Sequence, residues 1–220
     1  MKLISVQYGD FEEIEHLNPN FQKNFLKLKL TLDMLSPKEI YIENFPRLMF
    51  TLIEALPNLR YHQCSHGEKR HLKREYDPSH LISPIKIIGD VIDTVHLLEH
   101  TILELQCQIS EMDVCSGLTC NYWEPENRFD VFVECTEPNI AIFSSNVAIA
   151  ALKNIIYNTN DFDLPSLSDT VAIAKQIYSR GITDADELAG ALQWSKPKVQ
   201  SEIKRLDRFN FPFQILQPAA

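Results

Sequence analysis

The chain has 220 residues, enough for one substantial domain and a small one. Its 45% hydrophobic and 10% aromatic content suits an ordinary globular core, and a formal net charge of −9 argues against a nonspecific nucleic-acid binder while weakly favouring cationic ligands. The five cysteines, Cys64, Cys107, Cys115, Cys120 and Cys135, are odd in number and irregularly spaced, which points away from a disulfide framework and towards the reducing cytoplasm. Met1 to Val6 is too short and soon too polar for a secretion signal, and no apolar run approaches the roughly 20 residues of a membrane span, so no membrane partner is expected.

Residues 2–8 alternate weakly and predict a strand. Residues 25–33 alternate almost without fault: Leu26, Leu28, Leu30 and Leu32 share one face, Lys27, Lys29 and Thr31 the other. That is the pattern of a half-buried antiparallel strand. A helical period over 45–56 stops at Pro57, and 63–84 is polar, rich in His, Lys, Arg and Pro, and predicts a loop. A helix is predicted over about 90–108, two strands over 112–123 and 128–136 joined by Glu124 to Asn127, and an Ala/Ile-rich helix over 139–158. The order β, β, α, loop, α, β, β, α predicts an α+β fold, an antiparallel sheet with helices packed on one face.

Residues 161–165 read as a linker between a first domain, 1–160, and a second, 166–220. Three short helices are expected there, at 167–180, 184–193 and 195–208. Gly181 ends the first, Asp184 caps the second, and Ser195 caps the third with Pro197 in its first turn. Leu188, Ala189, Leu192, Val199, Ile203 and Leu206 have the spacing of a helix-turn-helix core.

The predicted 90–108 helix carries the residues with the clearest chemistry. Residues 96–100 read His-Leu-Leu-Glu-His, the inverted form of the H-E-x-x-H zinc pattern. On a helix His96 and His100 lie one turn apart on the same face, where two imidazoles can hold one divalent metal, zinc by donor type. Glu99 stands beside them, placed to take a proton from an activated water. The plainer reading makes the same three residues polar decoration on a half-buried helix. Glu104, one turn past His100, reads as a third ligand, as a partner orienting a histidine ring from behind, or as half of a surface ion pair. For a third ligand the candidates are Glu134 at the end of the 128–136 strand, then Glu137, with Cys115, Cys120 and Cys135 as further donors. Strand alternation sets Glu134 with Asp130 and Phe132, opposite Val131 and Val133. His62, Cys64, Ser65 and His66 form a second polar cluster, which lines a site, binds metal itself or is structural. Lys69, Arg70, Lys73 and Arg74 make a basic run that reads as a solvated loop face.

Ala55-Leu56-Pro57-Asn58-Leu59, then His62 and Cys64-Ser65, then His96 through Gln106 resemble the N-terminal domain of cyanophycin synthetase. Gly117 and Thr119 fit that domain's Gly-x-Thr segment, Val131 to Glu134 its next strand, and 141–156 the helix that follows. The resemblance covers about residues 1–158. It implies a peptide-like substrate and metal-assisted amide hydrolysis: His96, Glu99 and His100 carry over directly, Glu134 as a ligand, and His62, Cys64, Ser65 and Thr119 as substrate contacts. In that family the domain precedes ATP-grasp and Mur-ligase-like domains, for which these 220 residues have no room. Glu68 to His71 stand where the family has a Gly-Gly pair, and Cys120 where an arginine usually follows the Gly-x-Thr.

Three functions fit this reading. The first is a cytoplasmic metal-dependent hydrolase of a peptide or isopeptide. The second is a polymer- or peptide-binding module that keeps the fold without catalysis. The third is a regulator that senses a ligand and binds DNA through Lys196, Lys198, Lys204, Arg205 and Arg208, diluted by Glu202 and Asp207. A homo-oligomer is compatible with all three.

Overall fold

The structure, a computed structural model, describes residues 1–11, 14, 26–35, 45–62, 94–113, 115–122, 125, 127–159 and 162–209. Four strands, β1 (Lys2–Gly9), β2 (Lys27–Asp33), β3 (Gly117–Asn121) and β4 (Arg128–Glu134), form one antiparallel sheet in the order β1-β2-β4-β3. Among the described residues six α-helices join it, so the fold is α+β as the element order predicted.

The alternation in β2 decides which way the sheet faces. Leu28, Leu30 and Leu32 stand opposite Val133, Val131 and Phe129 of β4, and all six are buried in the main core. The other face was expected to meet solvent, as in a half-buried strand. Instead Lys27 is only 1% exposed, and Phe11, Ile14, Leu118 and Phe132 form a second, small apolar cluster on this side. The polar groups there are satisfied locally. Asp130 accepts from Thr31 Oγ1 at 2.7 Å and Tyr122 OH at 2.9 Å, and pairs with Lys29 at 3.1 Å. The Lys29 ammonium also lies 5.2 Å from the Phe132 ring centre.

Helix α1 (Phe45–Ala55) gives way, at Leu56 and Pro57, to a 3-10 turn over Pro57–Tyr61 that ends at His62. Helix α2 (Thr94–Ser110) carries the His-x-x-Glu-His pentad. It was expected to be half-buried and to start near residue 90. The residues before Thr94 lie outside those described, and the helix is buried almost all round, down to Glu99, His100, Glu104 and Gln106. This follows from its position among β3, β4, the helix after β4 and the C-terminal helices.

β3 is shorter than the predicted 112–123, because α2 runs on to Ser110 and Glu111 closes it in a left-handed conformation, φ 56°. Helix α3 (Pro138–Tyr157) is long and apolar enough to cross a membrane by length and composition, which corrects the expectation that no segment came near. Ser144, Ser145 and Asn146 interrupt its apolar run, so counting consecutive residues missed it. Some 61% of its most apolar window is buried inside the fold, as a core helix would be.

Helix α4 (Leu167–Ala174) continues as a π-turn over Lys175–Ser179; α5 (Ala185–Leu192) and α6 (Lys196–Leu206) follow. Asp184 Oδ1 accepts from the N–H groups of Asp186 and Glu187, and Ser195 Oγ from that of Lys198, the caps the sequence called for. Leu188, Val199 and Leu206 are buried, in the same continuous core as α2, α3 and the sheet. The Ser179 hydroxyl donates to Ile109 O, a carbonyl left over at the end of α2, and Asn146 of α3 donates to Phe209 O.

Candidate metal centre

His96, Glu99 and His100 each offer a ligand atom, and these atoms lie within 4.8 Å of one another. The Nε2 atoms of His96 and His100 are 3.3 Å apart. Two zinc–nitrogen bonds of about 2.0–2.1 Å at a tetrahedral angle require a separation of about 3.4 Å. The pair therefore already stands at ligand spacing, with a carboxylate beside it, and this donor set fits a divalent metal. His100 is 4% exposed, and burial, helped by the charges of His96 and His62, keeps its pKa well below the usual histidine value. Neutral imidazole is the form that ligates.

Glu99 is 4% exposed and is held from the strand beside it. Gly117 and Thr119 alternate onto the face of β3 that meets α2. Thr119 Oγ1 donates to Glu99 Oε2. Gly117 leaves room for the rest of the side chain: a Cβ there would lie 2.5 Å from Oε1 and 2.8 Å from Cγ of Glu99. Thr119, expected as a substrate contact, hydrogen-bonds the expected base.

His62 reaches α2 from the end of the 3-10 turn. Its Nδ1 lies 3.1 Å from His100 Nδ1, and its Nε2 lies 2.9 Å from Glu104 Oε2. Gln108 Nε2 donates to Glu104 Oε1 at 2.5 Å. Burial raises the Glu104 pKa, but hydrogen bonds from His62, Gln108 and Asn58 outweigh it and hold the carboxyl below its ordinary range. Of the readings open for Glu104, the geometry matches a carboxylate that orients a histidine. Gln108 and Asn58 were not anticipated. Gln108 follows Glu104 by one helical turn, a spacing visible in the sequence; Asn58 has no such signal.

The structure does not bring Glu134 into this group. Its side chain alternates to the side of Phe132 and Asp130, and Oε2 accepts from the Ser116 N–H at 3.1 Å. Glu137 begins α3 and is likewise outside the group. The Cys115 thiol donates to Glu134 O at 3.2 Å, Cys120 sits on the far face of β3, and Cys135 is buried in the core. Cys64, Ser65, His66 and the basic residues 69–74 lie outside the described residues.

Compared with protein families, residues 27–157 match the cyanophycin synthase-like N-terminal domain. The chain belongs to that family. The matched span runs from β2 to α3 and takes in every group of the constellation, from His62 to Thr119; β1 and α4–α6 fall outside it. A comparison with curated proteins finds no significant match.

Proposed function

We propose that the protein is a metal-dependent hydrolase of a peptide or isopeptide bond, with His96 and His100 as ligands and Glu99 as general base. The observation that carries this reading is the 3.3 Å Nε2 to Nε2 spacing with the Glu99 carboxylate at its side. Family membership supports a peptide-related role. A zinc ion held by His96 and His100 would lower the pKa of water to about 7 and polarise a carbonyl. The chain's own groups do the rest. Glu99 accepts the proton of the attacking water as oxygen adds to the amide carbon, then delivers it to the leaving nitrogen as the carbon–nitrogen bond breaks. Thr119 holds one carboxylate oxygen, which fixes the direction of the other.

A DNA-binding role for α4–α6 draws less support. Arg205 is turned inward to Ser166 O and Thr170, Lys198 pairs with Asp169 at 2.8 Å, and Lys196 pairs with Asp186 at 2.8 Å. These cations are already engaged within the fold and would have to leave those partners to meet phosphates.

The test is metal content together with hydrolysis of cyanophycin and of a panel of quenched peptides. The expected result is about one zinc per chain and cleavage that falls 10²- to 10⁴-fold in Glu99→Gln with zinc retained. A protein that takes up no metal, or one that cleaves none of these substrates, overturns the reading.

A further inference from the structure

His62 is separated from the pentad by more than thirty residues of chain, yet it is the group that touches the back of His100. The contact runs from one ring nitrogen to another, so it constrains where protons sit. Glu104 is 3% exposed, and its ionised carboxylate only accepts hydrogen bonds. The hydrogen between it and His62 therefore belongs to His62 Nε2. A metal on His100 Nε2 needs the lone pair there, so His100 carries its hydrogen on Nδ1, and the 3.1 Å contact lets it donate that hydrogen to His62 Nδ1. His100 Nε2 is the atom that faces His96 Nε2.

We propose that Glu104 and His62 form a relay that fixes the tautomer and ring angle of His100, so that His62 is a positioning residue for the metal and not a contact for substrate. The proposal rests on the reading of His96 and His100 as ligands. It explains why a core helix buries Glu104 and anchors it twice more, through Gln108 and Asn58: a mobile carboxylate would not hold the far ring in line. It also gives the 3-10 turn a task, since Pro57–Tyr61, anchored by the buried Leu59, delivers His62 to α2.

The experiment measures zinc affinity by competition with a chromophoric chelator, alongside the visible spectrum of the cobalt-loaded protein. His62→Ala should weaken zinc binding about 10- to 100-fold and change the cobalt spectrum. His62→Gln should recover most of the loss, because its amide offers one acceptor to His100 and one donor to Glu104. Glu104→Gln, which keeps the packing, should weaken zinc binding in the same direction and serves if His62→Ala does not fold. Thermal unfolding of the metal-free variants separates positioning from simple destabilisation, since loss of fold would not be restored selectively by glutamine. Zinc affinity equal to wild type in both His62→Ala and Glu104→Gln overturns the relay and leaves the metal site standing. A wild-type protein that binds no zinc overturns both.

Discussion

The Cβ that Gly117 lacks would stand 2.5 Å from Oε1 of Glu99, a distance no Cβ tolerates. The glycine and the expected base are thus two halves of one fit, made across the β3–α2 interface. Gly117→Ala should push Glu99 aside while leaving His96 and His100 in place. The expected outcome is normal zinc content with hydrolysis reduced about 100-fold, the scale of a displacement of about 1 Å at a reacting group. Metal analysis and kcat/KM on the same preparation check it.

Thr119 offers a gentler test of the same carboxylate. Thr119→Val keeps the shape and removes the hydroxyl that donates to Glu99. A hydrogen bond to a charged group is worth about 1.5–3 kcal/mol, so kcat/KM should fall by about 10-fold or more, and Thr119→Ser should keep most of it. Equal activity in the valine and serine variants would show that the hydroxyl does not steer Glu99.

The metal-free protein should lose stability as pH falls below about 6.5. Burial, with His96 and His62 close by, lowers the His100 pKa in the fold. The unfolded chain therefore takes up a proton near pH 6.5 that the folded chain refuses, and stability rises with pH through this window. The contribution is fully present above the unfolded value and is lost progressively down to the folded one. Urea midpoints at pH 7.5 and 5.5 should differ for the wild type and differ less for His100→Asn.

Phe143 joins α3 to the C-terminal residues. Its ring lies 5.3 Å from Tyr178 and 6.3 Å from Phe209, and it is buried in the core that α2 and α3 share with α4–α6. Phe143→Ala should cost about 3–5 kcal/mol and lower the unfolding midpoint for the whole protein in one transition. Two separated transitions in the wild type would show that the C-terminal helices unfold on their own.

Where the controlling physics is local, the sequence reveals the structure well. The β2 alternation specifies the face that becomes core, Asp184 and Ser195 mark the starts of α5 and α6, and the pentad places two imidazoles on one helix face. Where it depends on groups distant in the chain, the sequence is silent. Nothing near Lys27 foretells that Phe11 and Ile14 help to close over the polar face of the sheet. Nothing near His62 foretells His100, because a 3-10 turn and a helix must first pack together. Glu134 is a different case: its place at a strand end and the family likeness both made it a candidate ligand, but its carboxylate accepts from the Ser116 N–H and lies outside the group of His96, Glu99 and His100.

Helix α3 sets the order in which this chain becomes safe to expose. It leaves the ribosome before α4–α6 exist, yet Phe143 and Asn146 find Tyr178 and the Phe209 carbonyl as partners, the latter 63 positions later. Until that stretch emerges, a twenty-residue apolar helix shows an uncovered side to the cell. A nascent chain stalled in that interval would present the kind of surface that chaperones hold and membranes attract.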